Sequence, residues 1–121
     1  HVTLICDATM PTTQLTYWVR DRQRGARLPL EFVVAKQTSN NARLYGLKDR
    51  GLLAPGLRAD INVIDLEHLT VAPPKAHHDL PAGGTRLIQP VQGYLATMVK
   101  GDITRRHDAD TGARPGTLVR S

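Results

Sequence analysis

The sequence predicts an α+β chain in which helices come first and short strands follow, with the change at Gly46. Before Gly46, apolar residues recur three and four positions apart, as at Leu15, Trp18 and Val19, which is the period of one helix face. After it, β-branched runs such as residues 61–65 are separated by proline and glycine, as is typical of short strands. We therefore divide the chain into residues 1–46 and residues 47–121.

The first helix is predicted over residues 11–21. Asp7 or Thr9 can cap it, and Pro11 lies in the first turn, where a missing backbone N–H is harmless. The charged stretch that follows contains Gly25 and is predicted to be a loop.

Two more helices are predicted before Gly46. One begins at Pro29, again a first-turn proline, and the next is capped by Thr38 or Ser39 and ended by Gly46 as the residue after the C-cap. The apolar face of the first of these two is Leu30, Val33 and Val34.

Short strands account for most of the second part. They are predicted at residues 51–54, 61–65, 70–71, 77–79, 86–88, 94–100 and 102–104, with a last edge strand at Leu118 and Val119. Lys100-Gly101-Asp102 predicts a tight hairpin turn between two of them.

The charge balance is basic, with 16 Lys and Arg against 11 Asp and Glu and a net charge of +5. Basic residues cluster only at Arg20, Arg22, Arg24 and Arg27 and at the pair Arg105-Arg106. Neither cluster alternates with stacking aromatic residues, as single-strand binders do. We therefore expect a solvated face or an interdomain contact and no nucleic-acid partner.

Cys6 is the only cysteine, so no intrachain disulfide can form and an oxidising compartment is not implied. No apolar run approaches the roughly 20 residues that span a bilayer, and no signal peptide opens the chain. We expect a cytoplasmic protein without a membrane partner. Because His1 is not an initiator methionine, we also expect the chain to be a piece of a longer one.

Candidate metal ligands and acids are few. His77 and His78 are adjacent, and neighbouring residues of a strand point to opposite faces, so they cannot share a metal ion from a regular strand. His68 and His107 stand alone, and the carboxylates of the second part adjoin turns or strand ends, where bonds to the backbone explain them. We predict no metal ligands and no catalytic residue within this chain.

The stretch from Gly46 to Asp65 resembles the C-terminal signature of the amidohydrolase superfamily. The residues that carry this likeness are Asp49-Arg50-Gly51, Ala54-Pro55-Gly56, Ala59-Asp60, Val63 and Asp65. Four further stretches resemble the closing third of N-acyl-D-amino-acid deacylases. They are Thr3-Leu4-Ile5-Cys6-Asp7-Ala8, Thr16-Tyr17-Trp18-Val19-Arg20-Asp21, Leu28-Pro29-Leu30-Glu31 and Asp79-Leu80-Pro81-Ala82-Gly83-Gly84.

This resemblance implies that the helices are the end of a (β/α)₈ metallo-hydrolase barrel and that the strands are part of a small β-sandwich domain. It also implies an activity for the full-length enzyme, in which zinc polarises the amide of an N-acyl-D-amino acid and activates water while an aspartate shuttles the proton. His1 resembles the histidine of a Gly-Ala-His motif that follows this aspartate. The metal ligands and the aspartate would then lie upstream, and the isolated chain would be inactive.

The same resemblance places the turn at His1, Thr3, Cys6 and Asp7 in the substrate pocket. It also implies that the remainder of the same polypeptide completes the β-domain. The isolated chain would leave strand edges unpaired, so we expect it to self-associate.

Two other interpretations stay open. The parent enzyme could be another amidohydrolase that acts on a cyclic amide such as a hydantoin or a dihydropyrimidine. The chain could instead be a free-standing basic binding module that uses Arg20 to Arg27, with salt-sensitive binding to nucleic acid as its hallmark.

Overall fold

The computed structural model describes residues 9–119. Its first helical segment begins as an α-helix, α1 (Met10–Thr13), and continues without a break as a π-helix (Gln14–Asp21), so the helix predicted over residues 11–21 is confirmed. Thr9 occupies the cap position, but no side-chain cap bond forms there, because the Thr9 hydroxyl donates to Gln89 Oε1 at 2.8 Å. Capping by Thr9 is therefore wrong, and Asp7 lies outside the described residues.

The two later helices are α2 (Leu30–Gln37), which begins just after Pro29, and α3 (Ser39–Leu44). Thr38 separates them without capping α3, since its hydroxyl donates to the Val34 carbonyl at 2.7 Å.

Gly46 ends α3 as predicted, with a φ of +68°. Its N–H donates to the Arg43 carbonyl at 3.2 Å, and the Leu47 N–H donates to the Ala42 carbonyl at 2.8 Å. This pair of bonds is the Schellman motif, which satisfies carbonyls that a helix end would otherwise leave unpaired.

The described part of the chain contains eight strands in antiparallel pairs. They are β1 (Ile61–Ile64), β2 (Thr70–Val71), β3 (Lys75–His77), β4 (Arg86–Ile88), β5 (Val91–Gln92), β6 (Tyr94–Val99), β7 (Asp102–Arg106) and β8 (Ala109–Asp110). Strands β1, β6, β7 and β8 form one sheet in that order, while β2 pairs with β5 and β3 pairs with β4. The α+β fold class is confirmed for these residues.

Three predicted strands are wrong or displaced. Residues 51–54 form a bend and a turn, because Gly51 has a φ of +92°, outside the strand region. The strand predicted at 77–79 lies at Lys75–His77, where it pairs with β4. Leu118 and Val119 have no ladder partner among residues 9–119, and the last strand is β8.

The hairpin between β6 and β7 is confirmed. Lys100 and Gly101 both have positive φ, 55° and 86°, as the two central residues of a type I′ turn require. On its other side β6 pairs with β1, with Ile61 opposite Met98 and a register shift after Val63.

The core is small and lies between the helices and the strands. Leu15, Val33 and Leu69 form its buried centre, and Ala42 is also buried. Of the apolar face predicted for α2, only Val33 is buried, while Leu30 and Val34 are exposed. None of the described helices combines the length and the apolar character needed to cross a membrane.

Candidate functional site

The predicted pocket residues His1, Thr3, Cys6 and Asp7 lie outside the described residues, so their surroundings stay a prediction. The described chain begins two residues later, at the buried residue Thr9.

Two hydroxyl groups tie the start of the first helix to the β-region. The Thr9 hydroxyl donates to Gln89 Oε1, and the Thr12 hydroxyl lies 2.8 Å from the Tyr94 hydroxyl. Thr9 and Thr12 are both buried, and their partners are 80 and 82 residues further along the chain. No local sequence pattern signals such distant pairs, and sequence reasoning missed them.

A cavity of about 660 Å³ opens beside these hydroxyl groups. Its lining residues are Thr9, Thr12, Ile88, Gln89, Pro90, Val91, Tyr94, Thr97, Arg105 and Asp108. The Asp108 carboxylate is already engaged, since it accepts the backbone N–H groups of Gly93 and Tyr94 at 3.1 and 3.0 Å. The Arg105 guanidinium donates to the Asp108 carbonyl. The described lining residues can hydrogen-bond a polar group, but none is a thiol or an imidazole that could act as nucleophile or base.

The charged residues of the signature stretch bind one another. Arg50 makes a two-bond pair with the Asp49 carboxylate at 2.8 and 3.0 Å and reaches Asp60 Oδ2 at 3.3 Å. Asp60 Oδ1 also accepts Arg58 Nε and the backbone N–H of Lys100, both at 2.9 Å. We call Asp49, Arg50, Arg58 and Asp60 the junction cluster, because it connects the segment after α3 to the β6–β7 hairpin.

The pKa shifts within the junction cluster follow from this geometry. The bond from Arg50 holds the pKa of Asp49 below its usual value, and Asp49 raises the pKa of Arg50 in return. Partial burial acts to raise the pKa of Asp60, but the Lys100 N–H and the two arginines outweigh it, so that pKa is lowered. Carboxylates kept ionised in this way hold structure together and are poor general bases near neutral pH.

Gly51 brings the junction cluster close to the helices. A Cβ at this position would lie 2.6 Å from Ala42 Cβ and 3.2 Å from the Thr38 carbonyl oxygen. Only glycine fits so close an approach with a positive φ. The signature glycine is therefore required by packing.

Three of the clustered arginines are engaged within the chain. Arg20 pairs with Asp21 through two bonds and donates to the carbonyls of Leu66 and Glu67. Arg22 donates to the Arg24 carbonyl at 2.6 Å and lies 4.5 Å from the centre of the Trp18 ring, as a cation–π pair does.

The histidines of the β-region lie apart from each other. His77 ends β3, His78 Nδ1 lies 2.9 Å from the Thr85 hydroxyl, and Asp79 is held by Arg86 at 2.7 and 2.6 Å. No group of three or more His, Cys, Asp or Glu that could hold a metal ion occurs within residues 9–119. These residues do not fit a zinc site, and no step of a zinc-dependent reaction can be assigned to them.

The chain belongs to the amidohydrolase family, whose model matches residues 1–105. It is therefore part of a hydrolase family whose members commonly depend on a metal.

Among curated proteins, the chain is similar to enzymes named for other substrates than acylated amino acids. Imidazolonepropionase of Paracoccus denitrificans (strain Pd 1222) is 41% identical over 71 residues, which cover 55% of this chain and 18% of that enzyme. Adenine deaminase of Brucella abortus (strain 2308) is 47% identical over 51 residues, 42% of this chain and 9% of that enzyme. Imidazolonepropionase of Ruegeria pomeroyi is 52% identical over 42 residues, 35% of this chain and 10% of that enzyme.

The chain thus spans less than a fifth of the length of these relatives. No solved structure shows significant similarity to it. The family is established by these matches, while its narrower assignment to N-acyl-D-amino-acid deacylases is not among them.

Proposed function

We propose that this chain is the closing, structural part of a metal-dependent amidohydrolase that hydrolyses the amide bond of N-acyl-D-amino acids. On this proposal its helices end a (β/α)₈ barrel, residues 47–121 contribute to a β-sandwich domain, and zinc is held elsewhere in the whole enzyme. The single cysteine offers no intrachain disulfide, and we place the enzyme in the cytoplasm.

The state of the signature residues supports a structural part. Asp49, Arg50, Arg58 and Asp60 are all engaged with one another, so they have the environment of a scaffold. The described residues also supply no set of metal ligands. An isolated chain of this kind would not hydrolyse amides.

The substrate class rests on the likeness of four stretches to deacylases, two of which are well ordered in the fold. Arg20, in the stretch from Thr16 to Asp21, joins the first helix to the Leu66 and Glu67 carbonyls. Asp79, in the stretch that ends at Gly84, pairs with Arg86 across the β3–β4 hairpin.

A second candidate is an amidohydrolase that acts on a ring. It is favoured by the names of the relatives, imidazolonepropionase and adenine deaminase, and it agrees with the cyclic-amide alternative drawn from the sequence.

Hydrolysis assays on the full-length parent enzyme discriminate between the two candidates. The panel contains N-acetyl-D-amino acids, their L-enantiomers as matched controls, hydantoin, dihydropyrimidine and adenine. We expect hydrolysis of the D-enantiomers in preference to the L-enantiomers. Turnover of the rings with none of the acylated D-amino acids would overturn the deacylase proposal and establish the second candidate.

A further inference from the structure

Strand β1 is an open edge of the four-stranded sheet. It pairs with β6 on one side only, and no described residue bonds the backbone of Ile61–Ile64 on the other. Asn62 and Val63, in the middle of the strand, are exposed. A row of unpaired N–H and C=O groups of this kind can accept another strand.

An apolar groove of about 560 Å³ runs beside this edge. One wall is α2 with Leu30 and Val34, the other is the loop with Leu52 and Leu53, and Ile61 of β1 also lines it. Leu52 and Leu53 are 66% and 84% exposed, although isolated leucines this open are costly to leave in water when they adjoin one another.

The total surface of the chain is also too large for a self-contained protein of its mass. It exposes 8958 Å², whereas a compact monomer of the same mass exposes about 6,500 Å². The excess of about 2,500 Å² is well above the roughly 800 Å² that each partner buries in a standard interface. There is room for a stable dimer.

We propose that the β1 edge and its groove bind the same surface of a second copy of this chain. A strand edge can pair with its own copy in antiparallel orientation about a two-fold axis, which satisfies the outward backbone groups of both strands. The groove carries Glu31 and Arg58 as well as its apolar residues, so the two copies do not present a single charge sign to each other. The inference concerns this chain alone and does not rest on the proposed enzymatic activity.

Sedimentation of the 121-residue chain from about 1 to about 100 µM tests the dimer. We expect the dimer fraction to rise with concentration, and to rise further with added salt, because each copy carries a net charge of +5 that salt screens. Leu53→Lys should weaken association about tenfold or more. Leu44→Lys is the matched control, since Leu44 is 77% exposed on α3 and outside the groove.

Hydrogen exchange on the unsubstituted chain tests the strand pairing without any substitution. Amides of β1 that point outward should exchange more slowly at high than at low protein concentration. A monomer at every concentration, equal effects of Leu53→Lys and Leu44→Lys, or exchange in β1 that is independent of concentration would each overturn the proposal.

Discussion

Asp60 joins three separate parts of the chain with one carboxylate. It accepts bonds from Arg50 and Arg58 of the signature stretch and from the backbone of Lys100 in the β6–β7 turn, and its side chain is 29% exposed. A carboxylate with several charge-assisted bonds is a strong local constraint. A residue that could be taken for part of an acidic catalytic set in sequence therefore acts as a connector.

Replacing Gly51 by alanine should destabilise the chain by about 2–4 kcal/mol, because the new Cβ meets Ala42 and the left-handed backbone adds strain. Gly56→Ala is the control, since Gly56 has a similar φ of +84° with nothing within 4 Å of the added Cβ. It should cost only the backbone strain, about 1 kcal/mol. Urea unfolding of both variants measures the difference, and equal losses would show that contact with Ala42 is unimportant.

The pair of Asp65 and His68 predicts a pH dependence near neutrality. Asp65 Oδ2 lies 2.9 Å from His68 Nδ1 and raises the pKa of that imidazole, chiefly through this hydrogen bond. A histidine with a raised pKa in the folded state stabilises the fold below its unfolded pKa of about 6.5 and loses that contribution as pH rises through the folded pKa.

Asp65→Asn should accordingly lower the pKa of His68 towards about 6.5, measured by NMR titration of its ring protons. Asp79→Asn, a substitution of a carboxylate that is paired with Arg86 instead, should leave the His68 titration unchanged. An unaltered His68 pKa in the Asp65 variant would contradict the hydrogen-bond assignment.

At the scale of elements, the fold depends on a few contacts between distant segments. Leu69 precedes β2 and is 0% exposed, packed with Leu15 of the first helix and Val33 of α2. Gly93 permits this packing, since a Cβ there would lie 2.8 Å from Leu69 Cα. The core of the described chain is therefore concentrated on one leucine.

Leu69→Ala should lower the free energy of unfolding by about 3 kcal/mol, because it removes buried contacts and leaves a cavity. Leu44→Ala removes the same atoms from an exposed site and should change it by no more than about 0.5 kcal/mol. Urea unfolding of both variants at one low protein concentration provides the comparison. Similar losses at the two sites would mean that the core is located elsewhere.

At the scale of the whole molecule, the described residues have little interior and much apolar surface. Only four hydrophobic residues are buried among them, and large apolar side chains such as Phe32 and Tyr45 are exposed. Such a surface is expected of a structural part that is completed by another chain or by the rest of its own polypeptide. This agrees with a chain that spans less than a fifth of its relatives.

Local patterns allowed most elements to be predicted correctly. The three helices, the end of α3 at Gly46 and the β6–β7 hairpin depend on proline, glycine and apolar spacing within a few residues. The strand predicted at residues 51–54 was wrong because Gly51 must turn to approach Ala42, a contact that no local pattern contains.

The sequence by itself determined the family, the order of helices before strands and the turn chemistry, because each resides in short runs of residue types. Tertiary structure alone decided which charged residues pair, as at Asp60 and Lys100, and which hydroxyls meet, as at Thr12 and Tyr94. It also decided that β1 is an open edge beside a groove. These features join segments that are tens of residues apart, and their energies depend on burial and distance, which only the folded chain fixes.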